Sequence, residues 1–321
     1  MPETPLATDV ASLVEAVLRG EVRALARAIS VVEDARPEAE AILGALYPHA
    51  GRALVIGVTG PPGAGKSTLV DRLAARLRQE GKDLGIVAVD PTSPFTGGAI
   101  LGDRIRMQAH ALDPGVFIRS MATRGHLGGL AAATGHVLTL MAAAGKDVIL
   151  VETVGVGQDE VEIVGTADVS VVVLVPGLGD EVQALKAGIM EIADVFVVNK
   201  ADREGVERVV AEIQSMLSLA GHADSQPQIV KTVAARGEGV DELLAAIGAF
   251  RARAETTGLA ARRHRSQLRR QFEETLAERL MSSVRGKALT DEQAERTIDR
   301  LAAREIDPFA AAGEVLRRLF L

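Results

Sequence analysis

The segment ALVIGVTGPPGAGKSTLVDRLAARL, residues 53–77, combines three features in a fixed order. A short apolar run rich in β-branched residues comes first, a glycine-rich loop follows, and apolar residues at helical spacing come last. The loop, GPPGAGKS at residues 60–67, fits the pattern G-x-x-x-x-G-K-[ST]. Because this pattern needs a strand before it and a helix after it, the whole segment predicts a phosphate-binding loop.

The chemistry of such a loop assigns roles to its residues. Glycines let backbone N–H groups turn toward phosphate oxygens, and the helix N-terminus adds positive potential. We expect Lys66 to reach the β- and γ-phosphates and the Ser67 hydroxyl to bind Mg²⁺. A glycine turn with a purely structural role is the alternative. The predicted nucleotide contacts are Gly60, Pro61, Pro62, Gly63, Ala64, Gly65, Lys66, Ser67 and Thr68.

Further apolar runs of the same kind follow, and helical patterns lie between them. The runs are LGIVAV (84–89), DVILVE (147–152), VSVVVLV (169–175), DVFVVN (194–199) and QIVKTV (228–233). Continuous apolar runs suit strands that are covered on both faces, as in a parallel sheet. The alternation therefore predicts an α/β fold of the P-loop NTPase kind, with a doubly wound, mostly parallel sheet and ligands at the carboxyl ends of the strands.

The segment VFVVNKAD places Asn199, Lys200 and Asp202 at the end of a predicted strand. N-K-x-D is the motif with which GTPases bind guanine. A carboxylate accepts hydrogen bonds from guanine N1–H and N2–H₂, whereas adenine offers neither donor, so Asp202 would reject adenine. We expect Lys200 to lie along the base and Asn199 to brace the loop. The motif favours GTP over ATP, and a surface turn is the alternative for these residues alone.

The segment TVAARGEGVDEL resembles the S-A-x-x-G-x-G-V loop, in which a backbone N–H meets guanine O6. Ala234 matches the alanine, and Val233 replaces the serine, so that side-chain contact is lost. We expect Ala234, Ala235 and Arg236 to border the base.

Helical patterns flank this region and predict three parts. They are an N-terminal helical extension at 1–50, a P-loop GTPase domain at 51–254, and a C-terminal helical region at 255–321 for dimerisation or partner binding. Gly20 marks a predicted helix break, and Thr290 with Gln293 three residues later predicts a capped helix. The arginine-rich stretch near residue 265 is either a solvated helix face or part of a docking surface.

Three carboxylates are expected near the phosphates. Asp90 follows LGIVAV, Asp103 comes after a glycine-rich stretch, and Glu152 ends the strand predicted next to the phosphate loop. With Ser67 they would surround one Mg²⁺, which prefers oxygen ligands. A charge at a helix N-terminus is the alternative for Asp103. We expect catalysis to rest on Lys66 and these three carboxylates.

Composition excludes several classes of protein. The net charge of −7 offers no basic footprint for nucleic acid, and aromatic residues make up only 2% of the chain. The chain has no Cys, so disulfides, iron–sulfur clusters and Cys-ligated zinc are excluded. The longest apolar run is too short to span a bilayer, and the first residues lack the pattern of a signal peptide. We therefore expect a cytoplasmic protein that binds neither nucleic acid nor membranes.

Five segments together resemble the MeaB/ArgK family, the G-protein chaperones of adenosylcobalamin-dependent methylmalonyl-CoA mutase and related acyl-CoA mutases. They are GPPGAGKSTL, VDPTSPFTGGAILGDRIRM, ETVGVGQDE, PGLGDEVQALKAGIMEIAD and VNKAD. The resemblance runs from about residue 10 to the end of the chain. It implies a homodimer that binds the mutase, gates delivery of its cobalamin cofactor and protects it from inactivation, with GTP hydrolysis on Mg²⁺ timing these events.

The resemblance also assigns switch residues. It makes Asp90, Asp103 and Glu152 switch and Mg²⁺ residues, and it makes PGLGDEVQALK, with Asp180 and Lys186, an extra switch that senses the partner. In many GTPases a glutamine directly follows the switch glycine and orients the attacking water. Here Val156 follows Gly155, and the glutamine is Gln158. We therefore hypothesise slow intrinsic hydrolysis that the partner mutase accelerates.

Features of the sequence argue against four other functions. RGHLGG, with His126, resembles a cobalamin-binding signature, but Arg124 stands where that signature has a carboxylate, so no direct cobalamin binding is expected. A nickel-insertion GTPase would be expected to carry Cys or clustered His, and the six His here are scattered. An ATP-dependent kinase of small substrates, the historical ArgK interpretation, conflicts with N-K-A-D. A non-hydrolysing scaffold conflicts with the intact Lys66, Ser67 and carboxylates.

Overall fold

The computed structural model describes residues 8–51, 53–90, 110, 112–122, 129–153, 165–177, 192–219, 226–287 and 289–320. Within them, seven parallel strands form one sheet in the order β3-β2-β4-β1-β5-β6-β7. The strands are β1 Leu54–Thr59, β2 Leu84–Asp90, β3 Val116–Ala122, β4 Val148–Thr153, β5 Val169–Leu174, β6 Val195–Asn199 and β7 Gln228–Thr232. The predicted doubly wound α/β fold is confirmed.

Helices precede, connect and follow these strands. They are α1 Thr8–Leu18, α2 Val22–Glu33, α3 Ala39–Leu46, α4 Lys66–Gln79, α5 Gly129–Ala143, α6 Val206–Leu219, α7 Val240–Thr256, α8 Leu259–Lys287, α9 Asp291–Ala302 and α10 Pro308–Phe320. Short 3₁₀ helices occupy Tyr47–His49 and Ala234–Arg236. No helix in the described ranges is both long and apolar enough to cross a membrane.

Aliphatic side chains fill both faces of the sheet. On one face, α4 and α7 pack on strand residues such as Ile56, Val58 and Leu150. On the other face, the helices α1 to α3 and α5 share a core with alternate strand residues such as Ile149 and Val151. Successive side chains of a strand point to opposite faces, which explains why each buried strand serves two cores. Helix α6 covers β5 and β6 on that second face.

Strand β3 was missed from the sequence. Arg119 and Ser120 interrupt its apolar run, VFIRSMA, and it lies at the edge of the sheet. Arg119 is tolerated because α2 provides partners for its guanidinium, which donates to the Glu33 carboxylate and to Ser30 Oγ at 3.3 Å. An edge strand with one polar contact to a helix does not show the continuous pattern of a central parallel strand.

The predicted helix signals are confirmed. Gly20, at φ +76°, separates α1 from α2. The Gln293 amide donates to Thr290 Oγ1 at 3.4 Å, and the Thr290 amide donates to Gln293 Oε1 at 3.0 Å, which forms the capping box of α9. The domain boundaries at 50 and 254 remain predictions.

Candidate functional site

The loop at residues 60–65 joins the carboxyl end of β1 to the first turn of α4. Two of its glycines are required by close neighbours as well as by their positive φ. A Cβ on Gly60 would lie 2.1 Å from the Val173 carbonyl oxygen, and a Cβ on Gly65 would lie 2.5 Å from Asn199 Nδ2. The loop can therefore lie against β5 and β6 only with glycine at these positions.

Lys66 begins α4 and lies inside the loop. Its ammonium donates to the carbonyl oxygens of Gly60 at 2.6 Å and Pro61 at 3.0 Å, and the residue is only 6% exposed. These bonds hold the positive charge at the helix N-terminus. A buried ammonium beside a helix N-terminus is suited to bind an anionic phosphate.

Ser67 and Glu152 meet beside the loop. The Ser67 hydroxyl donates to Glu152 Oε1 at 2.5 Å, and Glu152 is 4% exposed. Strand pairing explains the contact, because Glu152 lies opposite Val58 of the central strand β1. The hydroxyl and carboxylate oxygens are the type of ligand that Mg²⁺ prefers, so this pair fits the predicted metal site.

Asn199 connects the phosphate loop to the predicted guanine loop. Its amide nitrogen donates to the Ala64 carbonyl at 2.8 Å. Its carbonyl oxygen accepts from Thr232 Oγ1 and from the Ala234 amide, each at 3.0 Å. Asn199 is 2% exposed, so all three bonds lie in the interior. The predicted bracing role is visible in these contacts.

The amide of Ala234, which was predicted to border the base, donates to Asn199 Oδ1. A contact with O6 would require this amide to change or share its acceptor, or a neighbouring amide to make the contact.

Lys200 and Asp202 extend the guanine motif toward solvent. Lys200 has a φ of +57°, and its ammonium donates to the Gly63 carbonyl at 2.7 Å, so its side chain lies along the phosphate loop. The Asp202 side chain is 42% exposed, and Arg236 approaches it at 3.7 Å. Arg236 also binds Glu238, and this hydrogen bond raises the pKa of the guanidinium. The carboxylate predicted to bind the base is thus accessible, and the Arg236 guanidinium lies beside it.

Three threonines make contacts at the site that the sequence motifs do not predict, namely Thr59, Thr153 and Thr232. Thr232 orients Asn199, and its only sequence signal is its place at the end of the strand beside the one that carries Asn199. Thr153 donates to Thr59 at 2.9 Å at the ends of β4 and β1. All three threonines lie in segments quoted above, but the motifs assign no role to their hydroxyl groups.

Several predicted residues lie beyond what the structure describes. Asp90 is the last residue of β2, at the edge of the sheet where the phosphate loop lies, but its side chain is not described. Outside the described residues lie Asp103, His126, Gly155, Gln158, Asp180 and Lys186. Of the four predicted metal ligands, the structure therefore brings together Ser67 and Glu152.

Comparisons with known proteins agree with this geometry. The family model described as methylmalonyl-CoA mutase-associated GTPase MeaB matches residues 25–289. A Pyrococcus abyssi protein assigned by name to the GTPases is 47% identical over 314 residues, covering 96% of each chain. The GTPase ArgK of Escherichia coli K12 is 38% identical over 290 residues, covering 85% of this chain and 87% of its own. A crystal structure titled LAO/AO transport system kinase superposes with a TM-score of 0.69 at 26% identity, covering 99% of this chain and all of that one.

Proposed function

Because the chain belongs to the MeaB family of methylmalonyl-CoA mutase-associated GTPases, we propose that it is a GTP-driven chaperone of an adenosylcobalamin-dependent acyl-CoA mutase. The protein is a GTPase. The chaperone would gate delivery of cobalamin to the mutase and protect the mutase from inactivation. The family match supports this choice of partner, and methylmalonyl-CoA mutase is the partner that the family description names.

One structural observation carries the nucleotide part of the proposal. Asn199 and Lys200, from the predicted guanine motif, donate to the Ala64 and Gly63 carbonyls of the phosphate loop. Hydrogen bonds therefore join the two parts of the proposed guanine-nucleotide site. The placement favours a guanine nucleotide with its base at Asp202 and its phosphates at Lys66.

We propose that the residues of the site have different roles in phosphoryl transfer. Backbone N–H groups of the loop and Lys66 would bind the phosphates and stabilise the charge that develops on them. Ser67 and Glu152 would hold Mg²⁺, with Asp90 and Asp103 as further ligands or switch residues. The metal would neutralise phosphate charge. Asp202 would select guanine, because an adenine base offers its carboxylate oxygens neither of the two donors that guanine offers.

Partner binding would complete the site. Gln158 is displaced from the position directly after Gly155, so we propose that the attacking water is poorly oriented in the isolated protein. The mutase would rearrange the switch residues, including Asp180 and Lys186, and so raise the rate. We further propose a cytoplasmic homodimer that pairs through the C-terminal helices and binds no cobalamin itself.

The test is GTP turnover by the purified protein alone and with a candidate mutase, with ATP as the control nucleotide. We expect the mutase to accelerate hydrolysis of GTP and to leave ATP unhydrolysed. Equal GTP turnover with and without each adenosylcobalamin-dependent mutase tried would count against the choice of partner. Equal use of ATP and GTP would count against the role of Asp202.

A further inference from the structure

Side-chain hydrogen bonds hold the carboxyl end of β4 on both faces of the sheet. On the α4 face, Ser67 donates to Glu152 at 2.5 Å. On the opposite face, the next residue of β4, Thr153, donates its hydroxyl to Thr59 Oγ1 at 2.9 Å. Successive strand side chains alternate between faces, so consecutive residues of β4 are held from opposite sides.

The core assignments support this division. Val58 and Leu150, which share the face of Glu152, belong to the core under α4. Val151, which shares the face of Thr153, belongs to the core under α5 and the N-terminal helices. The threonine pair therefore lies on the face of the sheet opposite α4 and the Ser67–Glu152 hydrogen bond.

Both threonines are fully enclosed. Thr59 is 0% exposed and Thr153 is 1% exposed. A hydrogen bond in such an interior is stronger than one in water, and a hydroxyl that loses its partner there is costly. Thr59 directly precedes Gly60, and Thr153 directly follows Glu152. The pair thus links the residue that begins the phosphate loop to the residue that follows the predicted metal-binding carboxylate.

We propose that the Thr59–Thr153 hydroxyl pair positions Glu152 for GTP hydrolysis by fixing the end of β4 against the root of the phosphate loop. Without this bond the end of β4 could rotate. The Glu152 carboxylate would then less often point toward Ser67, which is the orientation proposed for GTP hydrolysis. The inference rests on the role proposed for Glu152, but it needs no partner protein. The threonines would be positioning residues, since they act on Glu152 through the backbone of β4 from the opposite face of the sheet.

Isosteric variants test the inference. Thr153→Val and Thr59→Val each remove one hydroxyl at nearly constant volume. We expect each variant to lower the single-turnover rate of GTP hydrolysis about tenfold and to change GDP affinity by less than about twofold. The reason is that a small misplacement of a catalytic group lowers the reaction rate more than it weakens binding. The double variant should be no slower than the slower single variant, since both remove the same bond. Thr153→Ser, which keeps the hydroxyl, should restore the rate.

A matched control separates positioning from stability. Thr134, on α5, is 0% exposed and its hydroxyl contacts only the Met121 sulfur at 4.0 Å among its described contacts. Thr134→Val should leave the hydrolysis rate unchanged, whatever it does to the unfolding temperature. Amide hydrogen exchange at the carboxyl end of β4 in nucleotide-free protein should be faster in Thr153→Val than in Thr153→Ser.

Glu152→Gln distinguishes failure of the inference from failure of the proposed site. If Glu152→Gln slows hydrolysis and Thr153→Val does not, the positioning role is wrong. If Glu152→Gln has no effect, the proposed role of Glu152 is wrong and the inference falls with it. A rate loss in Thr134→Val equal to that in Thr153→Val would also overturn the inference. Should Thr153→Val fail to fold, Thr59→Val is judged by the same criteria.

Discussion

At the scale of single residues, Asn199 shows how much a motif can reveal. Its place in the N-K-x-D motif predicted a bracing role, and its side-chain amide donates to the Ala64 carbonyl. The sequence did not reveal Thr232 as its second partner, because that contact depends on the order of β6 and β7 in the sheet. Local motifs predict which residue acts, whereas the partners across the sheet come from topology.

Asp202 provides the test at this scale. Asp202→Asn places an amide where a carboxylate would accept two hydrogen bonds from guanine. We expect GDP affinity to fall about a hundredfold or more, and affinity for xanthosine diphosphate to rise, since xanthine carries a carbonyl at C2 that an amide can donate to. Titration with both diphosphates measures the change.

The control for this variant is Glu204→Gln, which neutralises another exposed carboxylate two residues along the same loop. It should leave affinity for both diphosphates unchanged. Unaltered GDP affinity in Asp202→Asn would refute the assignment of Asp202 to the base.

At the scale of elements, six strands could be predicted, including the edge strand β7, whereas the other edge strand, β3, could not. β1, β4, β5 and β6 are continuous apolar runs because both of their faces are covered. β3 carries Arg119, which pairs with Glu33 of a distant helix, so its pattern resembles a loop until the helix is placed. The helix caps were predictable because their chemistry is local, as in the capping box of α9.

Among the contacts that attach helix α8 to the sheet is an ion pair with a buried carboxylate. Arg263 donates to both carboxylate oxygens of Asp194 at 2.7 Å, and its guanidinium lies 5.1 Å from the centre of the Phe250 ring. The Asp194 side chain is 4% exposed and that of Arg263 is 33% exposed. The hydrogen bond to Asp194 raises the pKa of Arg263. Part of the arginine-rich stretch is therefore structural.

Removing this arginine should leave a buried carboxylate without its cation. We expect Arg263→Gln to lower the free energy of unfolding by about 2–3 kcal/mol, less than for a fully enclosed pair because the guanidinium is partly hydrated. Urea unfolding measures the loss. Arg265→Gln, an exposed position two residues further on, should change stability by less than about 0.5 kcal/mol. Equal losses in the two variants would show that the ion pair does not hold α8.

At the scale of the whole molecule, the strand order assembles the site. β1 lies between β4 and β5, so the phosphate loop meets Glu152 on one side and the Val173 carbonyl on the other. The crossovers of a doubly wound sheet bring these distant segments together at the carboxyl ends of the strands. The sequence indicated that edge as the site, but only the strand order shows which residues meet there.

The central claim is that GTP drives a chaperone cycle on a mutase, and cofactor loading tests it most directly. Transfer of adenosylcobalamin to the apomutase would be followed by absorbance, with GTP, with GDP and with no nucleotide, for the unaltered protein and for Lys66→Ala. We predict that loading depends on which nucleotide is present, and that Lys66→Ala removes this dependence. Identical loading under all of these conditions would contradict the account.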